Sequence, residues 1–105
     1  MMQAEEDTLE NTVYDIELEI KNTDGLHMRP AMQFVDIANR FKSEINVGNN
    51  EMNVDGKSIM QISMLAATCG TKLKVTARGP DAREAINALK ELVEDKHFDE
   101  PMPGK

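Results

Sequence analysis

One cysteine, Cys69, is the whole thiol content of this chain of 105 residues, so no internal disulfide can form and a zinc knuckle lacks its ligands. Tryptophan is absent, and one tyrosine with three phenylalanines is too little for an aromatic platform on which unstacked bases would lie. Positive charge is scarce as well. Twelve Lys and Arg against nineteen Asp and Glu leave a net charge of −7, where a nucleic-acid backbone calls for a basic stripe. No apolar run reaches membrane-spanning length, and no basic, apolar, cleavable leader opens the chain. These shortages argue against nucleic acid as the main partner, predict no membrane insertion and no metal site, and point to a cytoplasmic protein. The length allows one domain whose core is too small to enclose a deep pocket beside its own packing, so action through the surface is expected.

The acidity is uneven. Residues 1–12, MMQAEEDTLENT, carry −4, show no periodicity and read as a disordered acidic extension. Residues 97–105 hold Pro101 and Pro103 and read as a short flexible tail in which His97 is a surface residue. The span 13–96 is nearly balanced at −2. In it Tyr14, Ile16, Leu18 and Ile20 alternate with polar residues, the pattern of a strand with one wet face. Ile45 and Val47, then Met52 and Val54, mark two short strands joined at Gly48, Asn49 and Asn50, residues that tolerate positive φ. Leu73, Val75 and Ala77 mark a fourth strand, with Lys72 and Lys74 on its wet side.

Helical spacing runs from Met28 to about Phe41, with Gln33, Asp36, Asn39 and Arg40 facing away from the core, and again in a short apolar segment after Ser58. A last helix runs from Ala82 to near Lys96, introduced by a capping pattern of Asp81 and Glu84. Cys69 follows the second helix beside Gly70 and reads as a partly buried structural thiol. The order strand, helix, strand, strand, helix, strand, helix predicts an α+β fold, one four-stranded sheet with three helices on one face.

The most informative stretch is DGLHMRPA, residues 24–31, where Gly25 breaks the alternation and a helix begins. Pro30 suits a first helical turn because the N–H it lacks would be unpaired there anyway. His27 therefore sits at or beside the N-cap, in front of unpaired N–H groups and the positive end of the helix dipole. An imidazole fixed there can carry a phosphoryl group, with the anionic product held by the backbone N–H groups and by Arg29. The second informative stretch is KSIMQISMLAA. Ser58 and Gln61 form a capping-box pattern, and Ile59, Met60, Ile62 and Met64 exceed what one buried face needs, so some of them are expected to form an exposed, adaptable contact surface.

GLHMRPA resembles the active-centre motif of the histidine-containing phosphocarrier (HPr) family of the bacterial phosphoenolpyruvate-dependent phosphotransferase system. KSIMQISMLAA with CGT, and ARGPDAREAINAL, extend the resemblance over about Val13 to Lys96. It implies an open-faced β-sandwich, βαββαβα, with an antiparallel sheet in the order 1-4-2-3. It further implies that His27 takes a phosphoryl group on Nδ1, as a pros-phosphohistidine, from enzyme I and hands it to IIA domains of sugar permeases. Arg29 and Pro30 would belong to the same active centre. Such a chain is a monomeric carrier in a relay, not a stand-alone enzyme, and needs no cofactor. Partner docking is expected on Met28, Pro30, Ile59, Met60 and Met64. Ser58 matches the serine phosphorylated by HPr kinase/phosphorylase, a modification tied to a catabolite-control regulator. Met28, where alanine or threonine is common in the family, and Gly56, where a side chain is usual, are departures expected to tune docking.

Other readings compete. A carrier of the nitrogen-related phosphotransferase branch shares the His27 motif, whereas regulatory HPr-like relatives lack the histidine. A small binding domain of the same layout would need a basic or aromatic sheet face. A hydrolase using His27 as base would need Ser58 or Cys69 beside the imidazole and an orienting carboxylate.

Overall fold

The computed structural model describes residues 12–23, 25–96 and 98; the expected acidic extension up to Asn11, the turn residue Asp24, His97 and the tail from Asp99 lie outside the described residues. Alternating and helically spaced segments become β1 (Val13–Glu19), α1 (Met28–Ala38), β2 (Glu44–Gly48), β3 (Asn53–Asp55), α2 (Ile59–Met64), β4 (Lys72–Arg78) and α3 (Ala82–Lys90). The last runs on as a π-helical segment over Glu91–Asp95. All strand pairs are antiparallel, in the order β1-β4-β2-β3 that the resemblance implies.

Period-two alternation buries Leu18, Ile45, Val47, Val54, Leu73, Val75 and Ala77 on one side of the sheet, where they join Phe34, Ile62, Ile86 and Leu89 from the helices in one core. Phe98, beyond the expected end of the domain, is also buried in it. On the wet side Glu17 stands opposite Lys74 and Glu19 opposite Lys72, and Lys74 Nζ lies 4.0 Å from Asp15 Oδ2. Opposite charges across two strands neutralise this face locally and leave no basic stripe. No helix among the described residues is long and apolar enough to cross a membrane.

Several local expectations are corrected. Tyr14 shares the inner face with its partner Ala77, but at the start of edge strand β1 it is 42% exposed and not buried. Helix α1 stops at Ala38, short of Phe41, because Asn39 turns its amide onto Val35 O (2.9 Å) and Lys57 O (3.1 Å), while Arg40 and Phe41 donate to Ile37 O and Ala38 O in tighter turns. Gln33, expected to face solvent, is half-buried. The β2–β3 turn uses no positive φ; Asn49 Oδ1 closes it by accepting from the Glu51 and Met52 amides at 2.7 and 2.8 Å. Cys69 is exposed, because α2 ends at Met64 and the thiol sits in the loop before β4. Gly56 is buried against β2, where an added Cβ would stand 2.7 Å from Ile45 Cγ2, so its missing side chain serves packing.

Asp81 is the N-cap of α3, but its side chain makes no cap bond. Its carboxylate instead accepts from the Lys42 amide (2.9 Å), the Ser43 amide (2.9 Å) and the Ser43 hydroxyl (2.6 Å), clasping the α1–β2 loop to the start of α3. Burial pushes the Asp81 carboxyl up, but the hydrogen bonds from Ser43 and Lys42 outweigh it and hold the group below the ordinary carboxylate value. A lowered folded-state value means stabilisation that is full above the unfolded value and lost as pH falls through the folded one. Asp81→Asn is therefore expected to cost about 1–2 kcal/mol near neutral pH. In denaturant melts, the gap to wild type should close as pH drops below about 4; a gap that stays constant with pH would contradict the clasp's ionic character.

Candidate functional site

His27 is the N-cap of α1, with extended backbone (φ −73°, ψ −176°), and its carbonyl accepts the Ala31 N–H at 2.8 Å. Its imidazole is exposed and makes no cap hydrogen bond, so the ring is available to a partner. The N–H groups of Met28 and Arg29 have no acceptor within the helix and open toward the space in front of it. Arg29 is exposed, and among the described residues it has no carboxylate within ion-pair distance. A free guanidinium two residues from an exposed imidazole, at a helix start, suits an incoming phosphoryl group.

The backbone behind His27 is held firmly. Gly25 adopts φ +66° and lies against Ala67 and Thr68, so close that an added Cβ would overlap Ala67 O and stand 2.8 Å from Thr68 Cα. Leu26 N–H donates to Ala67 O at 2.9 Å, and Gly70 N–H to Ile20 O at 2.7 Å, stitching the 20–26 loop to the 66–71 loop. Neither the positive φ nor the contact with Ala67 has a signature in the motif beyond the glycine itself.

The expected contact residues separate into three groups. Met28 and Ile59 come together with Met32 and Val35 around an open groove of about 480 Å³ between α1 and α2. Met60 and Met64, 77% and 61% exposed, project from α2, matching Met28 and Met32, 63% and 55% exposed, on α1. Each pair is spaced i, i+4, so each of the two helices presents a row of two methionines. Pro30 is buried and shapes the helix start rather than the surface. Met32 did not figure among the expected contacts, although its place four residues after Met28 was the signal.

Ser58 is the N-cap of α2, its hydroxyl accepting from Gln61 N–H at 3.2 Å. The reciprocal half of the expected capping box is not made. Gln61 Oε1 accepts from Asp55 N–H at 2.9 Å instead, and Ser58 N–H donates to Asp55 O. Among the described residues neither the Ser58 hydroxyl nor the Cys69 thiol, which lies 3.8 Å from Lys21 O, is hydrogen-bonded to His27, so no nucleophile–base pair is assembled. No group of three His, Cys, Asp or Glu among the described residues is placed to hold a metal ion.

The family model described as "PTS HPr component phosphorylation site" matches residues 14–95. The chain is 48% identical over 86 residues to the phosphocarrier protein HPr of Pseudomonas aeruginosa, covering 81% of this chain and 94% of that protein. To the phosphocarrier protein HPr of Neisseria meningitidis it is 45% identical over 76 residues, covering 72% and 85%. Among solved structures, HPr-C-His from Thermoanaerobacter tengcongensis superposes with a TM-score of 0.81 at 42% identity, covering 85% of this chain and 99% of that one. HPr from Bacillus anthracis does so with 0.76 at 37% identity, covering 80% and 100%.

Proposed function

This chain belongs to the HPr family of the phosphotransferase system, and we propose that His27 is the residue on which it carries its phosphoryl group. As a member it is a phosphocarrier, receiving a phosphoryl group from enzyme I and passing it to IIA domains. The observation that carries the residue assignment is an exposed imidazole at a helix N-cap, beside a guanidinium with no carboxylate partner among the described residues. His27 attacks phosphorus through Nδ1, forming a nitrogen–phosphorus bond as the bond to the donor breaks. The N–H groups of the first turn and Arg29 hold the phosphoryl oxygens through both transfers. The test is incubation with phosphoenolpyruvate and enzyme I, with the modified residue located by mass spectrometry and the bonded nitrogen by NMR. Phosphate on any other residue, or none, overturns the assignment.

Arg29 acts on the moving phosphoryl group with a planar fork of donors that lysine lacks. Arg29→Lys is expected to slow transfer about tenfold or more below saturation, while affinity for enzyme I changes by less. An unchanged transfer rate removes Arg29 from the chemistry.

Partners dock on the methionine rows of α1 and α2, with Met28, Ile59, Met60 and Met64 contributing; the support is the exposure of the three methionines and the groove that Met28 and Ile59 share. Enzyme I and IIA domains of sugar permeases meet the same surface in turn, at a cytoplasmic location. Ser58, half-buried at the edge of that surface, is a regulatory phosphorylation site for an HPr kinase/phosphorylase. A phosphate there sits at the favourable end of α2 but brings charge to an apolar contact. Ser58→Asp is expected to slow phosphorylation by enzyme I about tenfold. Ser58→Ala should keep the wild-type rate and lose about 1 kcal/mol of stability with its cap. Equal rates in both variants, with no kinase-dependent phosphate on the wild type, leave Ser58 as a cap alone.

A further inference from the structure

Leu18, Ile20 and Asn22 continue one alternation past the end of β1, and all three are buried, Asn22 at 2% exposure. An amide in that place costs free energy unless it is hydrogen-bonded. Asn22 uses only its donor side: Nδ2 donates to Gly25 O at 2.8 Å, while Oδ1 is buried without a partner among the described residues. Its main-chain carbonyl accepts the Gly25 N–H at 3.2 Å, so both backbone groups of Gly25 are bonded to one residue.

The consequence lies in the peptide joining Gly25 to Leu26. A trans peptide is planar, with its C=O and N–H on opposite edges. Here the C=O edge is held by Asn22 Nδ2 and the N–H edge by Ala67 O at 2.9 Å. A plane held at both edges cannot rotate between its two Cα atoms. The next residue after Leu26, itself buried, is His27. Because the imidazole has no cap bond of its own, its position is set by that backbone.

We propose that Asn22 is a positioning residue for phosphoryl transfer, setting through the Gly25–Leu26 peptide where His27 presents its imidazole to a partner. The proposal rests on His27 as phosphoacceptor. In-line displacement needs the attacking nitrogen aligned on phosphorus, and a shift of about 1 Å can cost up to about a hundredfold in rate. Asn22→Leu deletes the donor while keeping a buried side chain of similar size, and Asn22→Ala deletes it with loss of volume. Val54→Ala, in β3, serves as a control for destabilisation of the core alone.

All four proteins are assayed with phospho-enzyme I well below their melting temperatures, and Leu26 amide exchange is followed by NMR. Expected in both Asn22 variants is a kcat about ten- to a hundredfold below wild type, with KM changed by less than about twofold and faster Leu26 exchange. Val54→Ala should keep the wild-type kcat. Unaffected kcat in the Asn22 variants, an equal loss in Val54→Ala, or unchanged Leu26 exchange overturns the positioning role while leaving His27 as acceptor. A wild type that takes no phosphate on His27 overturns both.

Discussion

Replacing His27 with alanine is expected to abolish acid-labile phosphate incorporation from phosphoenolpyruvate and enzyme I while leaving the chain folded. The two outcomes separate because the side chain does chemistry without bearing structure. The imidazole is exposed and makes no cap bond, and the bond that starts α1 runs from Ala31 N–H to the His27 carbonyl, which alanine retains. An exposed side chain of this kind contributes within about 0.5 kcal/mol of stability. The melting temperature should therefore move by no more than about 4 °C. The Ser58 hydroxyl, at the start of another helix, is not placed to take over. Stoichiometric acid-labile phosphate on the variant would remove His27 from the mechanism, and a collapse of the fold would show that its role is structural after all.

The architecture was legible because alternation and helical spacing are properties of neighbouring residues. Leu73, Val75 and Ala77 announce β4 with no knowledge of β1 or β2, and the order of strands followed from the family resemblance once the motif at His27 was seen. What escaped depends on contacts between segments distant along the chain. Asn39 ends α1 by reaching Lys57, and Asp81 leaves its own helix to bind Lys42 and Ser43. Cys69 reads as partly buried because an apolar helical run precedes it, but α2 stops at Met64 and leaves the thiol exposed in the loop. At the site itself, the identities of His27 and Arg29 were visible, but what holds them was not. Asn22 continues a strand alternation as though it were a core residue, and only the position of Gly25 O gives its amide a purpose.

The largest expected loss of stability, joined to a loss of transfer, belongs to Gly25→Ala. At φ +66° an alanine meets the left-handed penalty of about 1–2 kcal/mol. Its Cβ would also overlap Ala67 O and approach Thr68 Cα to 2.8 Å, and both are backbone atoms that cannot swing aside as a side-chain tip would. Forced overlap in packed surroundings adds about 1–3 kcal/mol. The two costs can be separated with Gly70→Ala: Gly70 has φ +93°, but nothing lies within 4 Å of the position its Cβ would take, so that variant carries the backbone term alone. Gly25→Ala should therefore melt well below Gly70→Ala. Relief of the overlap by parting the two loops would break the bond from Leu26 N–H to Ala67 O and release the peptide that carries His27. Phosphoryl transfer by the folded Gly25→Ala protein is accordingly expected to fall by at least about tenfold, while Gly70→Ala stays near wild type. Equal melting temperatures for the two variants would show that the 66–71 loop yields freely, and a folded Gly25→Ala protein with wild-type transfer would show that His27 does not need this loop held in place.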